Sequence, residues 1–423
     1  AAQADGRQQR LGVPAGTPIP ADAHIKGLFG PVQPWPLIPL HVTLLADGRV
    51  LSYGTDGAGI QTGLFIYSVY DPATNTHETY ANTTGTDLFC SSPILLATGD
   101  RVVIAGGDNW TGTSTTNTGN NNINIYNPSD NSLVRQPNMN RPRWYATSTM
   151  MLNGEIFVQG GLGGTDRPEM RSTAGAYRLM TGVDTSAYDY FYPRNFIAPD
   201  GRLFGFDSAG SMYWINTAGA GTFTGLGQFT SAVAGNDASA AMFAPGRILQ
   251  FGGNSNGAIV IDITGGGTPS VTNTSAMAMQ RRLGTATLMA DGKVLATGGS
   301  SVWNEMTNVV YDAEIWNPVN GQWTRAATAV RARLYHSVGL LLPDATVLVA
   351  GGGAPGPQNN LNAEIYHPPY LFANGAEAVR PQITGAPTVV DPGKTVSVGF
   401  SHPGGRAARR VTFVKTGSVT HSW

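Results

Sequence analysis

Charge is scarce in this chain. Asp, Glu, Lys and Arg make up 13% of its 423 residues, about half the ~25% of an average soluble protein. The few charges nearly cancel, to a formal −1 with a pI near 6.7, so no basic face is left to draw in nucleic acid or an anionic membrane. Long apolar runs are missing as well. No stretch approaches the ~18 residues of a membrane span, and the opening Ala-Ala-Gln-Ala-Asp-Gly shows no signal peptide. A single cysteine, Cys90, excludes an intramolecular disulfide and is equally compatible with a buried inert thiol or a reactive one. These absences leave a small neutral molecule as the expected partner. The Asn- and Thr-rich loop from Asn109 to Asn122 points to a secreted or extracytoplasmic protein.

Glycine, by contrast, is plentiful: 55 residues, nearly twice the usual ~7%. Much of it recurs in phase. Seven times the chain writes a turn, a short β-branched or apolar run and a glycine: Arg49 to Gly54, Arg101 to Gly107, Glu155 to Gly161, Arg202 to Gly205, Arg247 to Gly253, Lys293 to Gly299 and Thr346 to Gly352. Hairpin dipeptides such as Asp47-Gly48, Asn153-Gly154 and Asp291-Gly292 precede the runs. Outer strands follow, as in Glu314-Ile315-Trp316-Asn317-Pro318. A period of roughly 45 to 54 residues is kelch-like and predicts four strands per unit. Seven units close radially and leave no long edge. The fourth unit is the weakest match, because Phe204-Gly205-Phe206 lacks the double glycine.

The fold expected is all-β: an N-terminal extension over residues 1–36, a seven-bladed kelch-type β-propeller over 37–378, and the beginning of an Ig-like β-sandwich over 379–423. Gln382 to Val389, Thr395 to Phe400 and Arg409 to Val414 read as its strands. Forty-five residues are under half of the ~100 a sandwich needs, so a second polypeptide is one candidate to supply the rest.

In a propeller the innermost strand of each blade runs along the axis, so matching repeat positions gather at one mouth. Cys90 lies 16 residues before Gly106, Tyr145 lies 15 before Gly160, and Tyr335 and His336 lie 16 and 15 before Gly351. All four are therefore expected at inner-strand starts on one face, with the loops around Trp110, Leu162 and Trp303 at the rim. His41 is expected in the core or lining the mouth, and His24, His77, His367 and His402 in solvated turns or caps.

Four segments, Asp87-Leu88-Phe89-Cys90, Arg143-Trp144-Tyr145, Arg333-Leu334-Tyr335-His336-Ser337 and Val419-Thr420-His421, make the chain resemble the galactose oxidase and glyoxal oxidase family of copper radical oxidases. The Arg-Trp-Tyr segment and the long gap from Cys90 to Tyr145 resemble the glyoxal oxidase branch more closely. The resemblance implies one copper bound by Tyr145, Tyr335, His336 and His421, and a thioether joining Cys90 to the ring of Tyr145 as a protein-derived radical cofactor. It implies oxidation of a primary alcohol or hydrated aldehyde by O2, releasing hydrogen peroxide, with Tyr335 as general base. Arg194 is the candidate to orient the substrate's oxygen. Leu162-Gly163-Gly164 stands where galactose oxidase has a tryptophan over the modified tyrosine, which leaves Trp110 or Trp303 to cover it from a neighbouring blade. The rival expectation is a non-catalytic kelch propeller binding glycan or protein through its loops.

Overall fold

The computed structural model describes all residues except 1–11, 64, 112–113, 391–393, 406, 409, 416 and 422–423. Seven antiparallel blades surround an axis. Their innermost strands, in chain order, are Pro39–Leu44, Ser92–Leu95, Trp144–Met150, Arg194–Ile197, Ala238–Ala244, Thr285–Leu288 and Ser337–Leu341, and the seventh packs beside the first to close the ring. The second strand of each blade meets a neighbouring blade on both faces, so it reads as an uninterrupted apolar run: Val102–Ala105 and Val294–Thr297 are buried throughout. The outermost strand Thr76–Ala81 is mostly exposed. Apolar clusters fill the wedges between blades, as where Leu249 and Phe251 meet Val294, Ala296 and Trp316.

The repeat glycines have a positional reason. A Cβ on Gly106 (φ 69°) would lie 2.2 Å from the carbonyl oxygen of Arg143, and one on Gly298 (φ 66°) 2.5 Å from that of Arg333. The segment entering the next blade crosses directly over each glycine, at a distance only a residue without a side chain permits. Tyr145 and Tyr335 follow those two arginines by two positions. The arginine side chains are fixed too. Arg143 pairs with Glu169 and Arg333 with Glu364, both at 3.1 Å and both fully buried, and Arg281 with Glu314 repeats the device at 3.0 Å. Arg143 also donates to Gly160 O at 2.7 Å, and Arg333 to Gly351 O at 2.9 Å.

The chain ends depart from the sequence reading. Leu28–Phe29 and Gln33–Pro34, within the expected extension, pair with Asn362–His367 and complete the seventh blade. Two-residue strands carry no alternation from which a sequence reading could find them. The fourth unit is a full blade despite its missing glycines. In the C-terminal segment only Gln382–Gly385 and Gly399–Ser401 pair with each other, while 410–414 form no strand. Ile383, Phe400, Val411 and Phe413 are exposed, so the described residues do not form a sandwich. The last strand, Ser418–Thr420, enters the axial channel and pairs with Pro39–Leu44, in the register His41↔Thr420, Val42↔Val419 and Thr43↔Ser418. The inner strand of a blade has one edge free toward the axis, and here the C-terminal segment occupies it.

Candidate metal centre

Cys90, Tyr145 and His336 begin or immediately precede the inner strands of blades two, three and seven, and all three carry a positive φ, at 55°, 72° and 67°. So do Tyr192 (43°), before the fourth inner strand, and His421 (57°), just past the axial strand. Bulky residues rarely sit there, because Cβ crowds the following carbonyl. Such strain persists only where its surroundings enforce it, and it clusters at functional sites. Main-chain bonds around the mouth do the enforcing: Tyr145 N donates to Cys90 O at 3.0 Å and Tyr192 N to Tyr145 O at 2.9 Å, while Cys90 N donates to His41 Nε2 at 3.1 Å.

The side chains converge. Cys90 Sγ lies 3.3 Å from His421 Nε2 and 3.8 Å from His336 Nε2. The Tyr145 and Tyr335 hydroxyls are hydrogen-bonded at 2.7 Å. The Tyr335 and His336 rings stack at 3.8 Å, and the His336 and His421 rings meet edge-on at 4.4 Å. Every one of these residues is at most 8% exposed.

The electrostatics favour a cation. His336 Nδ1–H donates to Gly353 O at 2.7 Å, and His421 Nδ1 is hydrogen-bonded to Thr420 Oγ1 at 2.5 Å, which turns both Nε2 atoms inward. Burial pushes His336 down to about 3 and holds His421 well below the ordinary imidazole range, so both rings are neutral donors. Burial likewise raises Tyr145, Tyr335 and the Cys90 thiol well above their usual values. No phenolate forms here unless a metal ion supplies the compensating charge. Two inward imidazole nitrogens and two adjoining phenol oxygens are a donor set that suits Cu(II), and these residues fit that ion.

Neither expected tryptophan covers the face of Tyr145. Trp303 packs on Tyr335 at 5.6 Å and Trp110 on Phe65 at 4.7 Å. The face of Tyr145 is instead covered by Phe191, stacked at 4.1 Å and 23°, with Trp144 tilted beside it at 4.3 Å. Arg194 Nη2 donates to Gly235 O at 3.1 Å and Ala238 O at 2.9 Å, tying blade four to blade five. His41 is buried and stacked on Tyr53. His77 and His367 are not turn residues. His77 sits in an outer strand against Trp35 at 4.3 Å, and His367 is buried at the end of Asn362–His367. His24 is exposed within the short helix Ala23–Lys26, and His402 is half-buried beside a turn. Phe191 and Tyr192 escaped sequence reading, although they directly precede the Pro193-Arg194 start of an inner strand, the phase at which Cys90 and Tyr145 are found.

Comparison with known proteins bears on this site. The Kelch motif matches residues 281–329. Galactose oxidase of Gibberella zeae is 26% identical over 443 residues, covering 94% of this chain and 62% of that protein. The aldehyde oxidase GLOX of Vitis pseudoreticulata is 25% identical over 297 residues, covering 60% of this chain and 56% of its own length. The chain thus spans about three-fifths of these relatives. Among solved structures, a fungal alcohol oxidase of the AA5 family in complex with copper superposes with a TM-score of 0.79 at 23% identity, covering 94% of this chain and 88% of that one. No helix among the described residues is long and apolar enough to cross a membrane. Along nearly the whole propeller, with copper-type donors gathered at the mouth, the chain is similar to the galactose oxidase and glyoxal oxidase family of copper radical oxidases.

Proposed function

We propose that this protein oxidises a primary alcohol or hydrated aldehyde with O2, giving the aldehyde or acid and hydrogen peroxide. The observation that carries the reading is the meeting of two buried phenols, 2.7 Å apart at their oxygens, with two inward-facing neutral imidazoles. Copper held by Tyr145, Tyr335, His336 and His421 would supply a one-electron couple, which with one electron from the Tyr145 ring makes the two that the reaction needs. Tyr335 Oη accepts the proton of the substrate's hydroxyl, as a base within hydrogen-bond reach. Tyr145 removes one hydrogen from the adjoining carbon. In balance, RCH2OH and O2 become RCHO and H2O2.

Cys90 and Tyr145 share one buried cluster at the mouth, which supports a thioether between the sulfur and the ring. Forming it removes one hydrogen from each residue, and O2 takes both as hydrogen peroxide. A non-catalytic kelch module has no need of strained, buried Cys, Tyr and His at one level, so we rank it second. Secretion remains our expectation. The exposed Ile383, Phe400, Val411 and Phe413 would be covered by further strands, of this protein or of a second polypeptide. The test is to load the purified protein with Cu(II) in air and measure metal content, intact mass and peroxide release. One copper per chain, a loss of two hydrogens and peroxide from an alcohol are the expected results. Stoichiometric zinc or calcium at this mouth with no copper uptake would refute the reading.

A further inference from the structure

His41 and Tyr53 face each other across the first two strands of blade one, Pro39–Leu44 and Val50–Gly54. Their rings stack at 4.5 Å and 19°, and both are buried. Together they reach two successive residues at the start of blade two. His41 Nε2 accepts from Cys90 N at 3.1 Å, and the Tyr53 hydroxyl is hydrogen-bonded to Ser91 Oγ at 2.9 Å. The oxidation chemistry proposed above uses neither ring.

The neighbouring amides of Cys90 find their partners within their own segment. Phe89 N donates to Asp87 Oδ1 at 2.9 Å and Ser91 N to Leu88 O at 3.2 Å. Of these three amides only that of Cys90 is held from another blade. Because Nε2 accepts, the imidazole proton is on Nδ1, which is buried with no partner among the described residues. An unpaired buried N–H costs stability, so a ring kept for packing alone would serve better as an apolar one. Cys90 itself sits at φ 55°, where Cβ crowds the backbone, and such a conformation persists only where its surroundings enforce it. Released from His41, the residue is free to relax to a negative φ, which re-aims Cβ and the sulfur it carries.

Resting on the thioether reading above, we propose that His41 is a positioning residue for the cross-link. Its Nε2 holds the Cys90 amide so that the sulfur is presented to the Tyr145 ring while the bond forms. Forming the thioether breaks the S–H bond and one ring C–H bond and makes one C–S bond. O2 takes the two hydrogens with their electrons and becomes H2O2.

The experiment has an amide arm without copper and a cross-linking arm with it. Cys90 is the one cysteine of the chain, so isotopic labelling of cysteine nitrogen gives a single amide resonance. In copper-free protein its exchange with D2O should quicken at least tenfold in His41→Phe and His41→Leu, which lack the acceptor. It should stay near wild type in His41→Gln, whose side-chain oxygen stands close to the place of Nε2. The second arm loads the same proteins with Cu(II) in air and follows the loss of two hydrogens by intact mass. Cross-linking should slow about tenfold in the variants without an acceptor, the scale of one buried hydrogen bond, and recover in His41→Gln. Phe and Leu differ in volume, so overpacking is separated from loss of the acceptor. Should neither fold, His41→Asn, polar but too short to reach the Cys90 amide, takes their place. Cross-linking at the wild-type rate without the acceptor, or as slow in His41→Gln as in His41→Leu, overturns the inference and leaves the oxidase reading intact. Wild type that never loses the hydrogens defeats the oxidase reading and the inference together, and a slowly exchanging Cys90 amide then marks His41 as a brace of blade two alone.

Discussion

Phe191 lies face to face on the ring of Tyr145, 4.1 Å between centroids, and so occupies the side from which water or a stray reductant would approach that ring. Stacked aromatic pairs are worth ~0.5–1.5 kcal/mol beyond the area they bury. Phe191→Leu should therefore leave the fold intact but lower peroxide release about tenfold. It should also shorten the lifetime of the oxidised Tyr145 signal in electron paramagnetic resonance. Phe191→Trp should retain both. If the leucine variant matches wild type in rate and in signal lifetime, Phe191 is packing alone.

Cys90 is small and fully buried, so Cys90→Ala should cost only ~1–2 kcal/mol of stability. The variant should still bind copper, because His336, His421 and the two phenols remain. It should show no loss of hydrogens by intact mass and no peroxide release. Wild-type turnover by this variant would remove the thioether from the mechanism.

The repeat was legible because kelch glycines are demanded by close backbone crossings, such as Gly106 against Arg143 and Gly298 against Arg333. Counting back from them brought Cys90, Tyr145 and His336 to one level. Phe191 and Tyr192 were missed because the fourth blade lacks the double glycine that anchors such a count. The buried Arg–Glu pairs join blade starts to third strands 26 to 33 residues away, a spacing that no local pattern announces. The path of Ser418–Thr420 and His421 was not legible at all. A three-residue strand reads the same whether it joins a sandwich or the free edge of blade one.

Asp87 gives a pH dependence. Its carboxyl is buried beside Asp108, and burial, then that neighbour's charge, pushes it up to about 8. Oδ1 accepts from Phe89 N at 2.9 Å, while Oδ2 has no partner among the described residues. With its folded pKa above the unfolded ~3.9, the native state binds the extra proton, so this group's contribution to stability falls as pH rises from about 4 to about 8. Asp87→Asn keeps the Oδ1 acceptor and removes the charge. Its melting temperature should exceed wild type by a few degrees at pH 8 and by almost nothing near pH 4. A difference independent of pH would show that the carboxyl stays neutral or hydrated throughout.

The position of His421 depends on three residue pairs. Ser418–Thr420 adds a short strand to the axial edge of blade one, opposite His41, Val42 and Thr43. The next residue turns through φ 57° and brings its ring within 4.8 Å of Tyr192 and 5.4 Å of Tyr145. Blade one keeps its own four strands without this addition, so loosening the axial strand should cost the propeller little. Proline at position 419 removes a backbone donor and fixes φ, which an added edge strand three residues long has little means to absorb. Val419→Pro should therefore weaken copper binding at least tenfold, about 1.4 kcal/mol, approaching the loss caused by His421→Ala. The main unfolding transition should move by no more than a few degrees. Val419→Ala, which spares the backbone, should stay near wild type. Copper titration of the three variants, read beside their melting curves, decides the matter. Wild-type affinity in Val419→Pro would mean that contacts with Tyr192 and Tyr145 hold His421 without the strand.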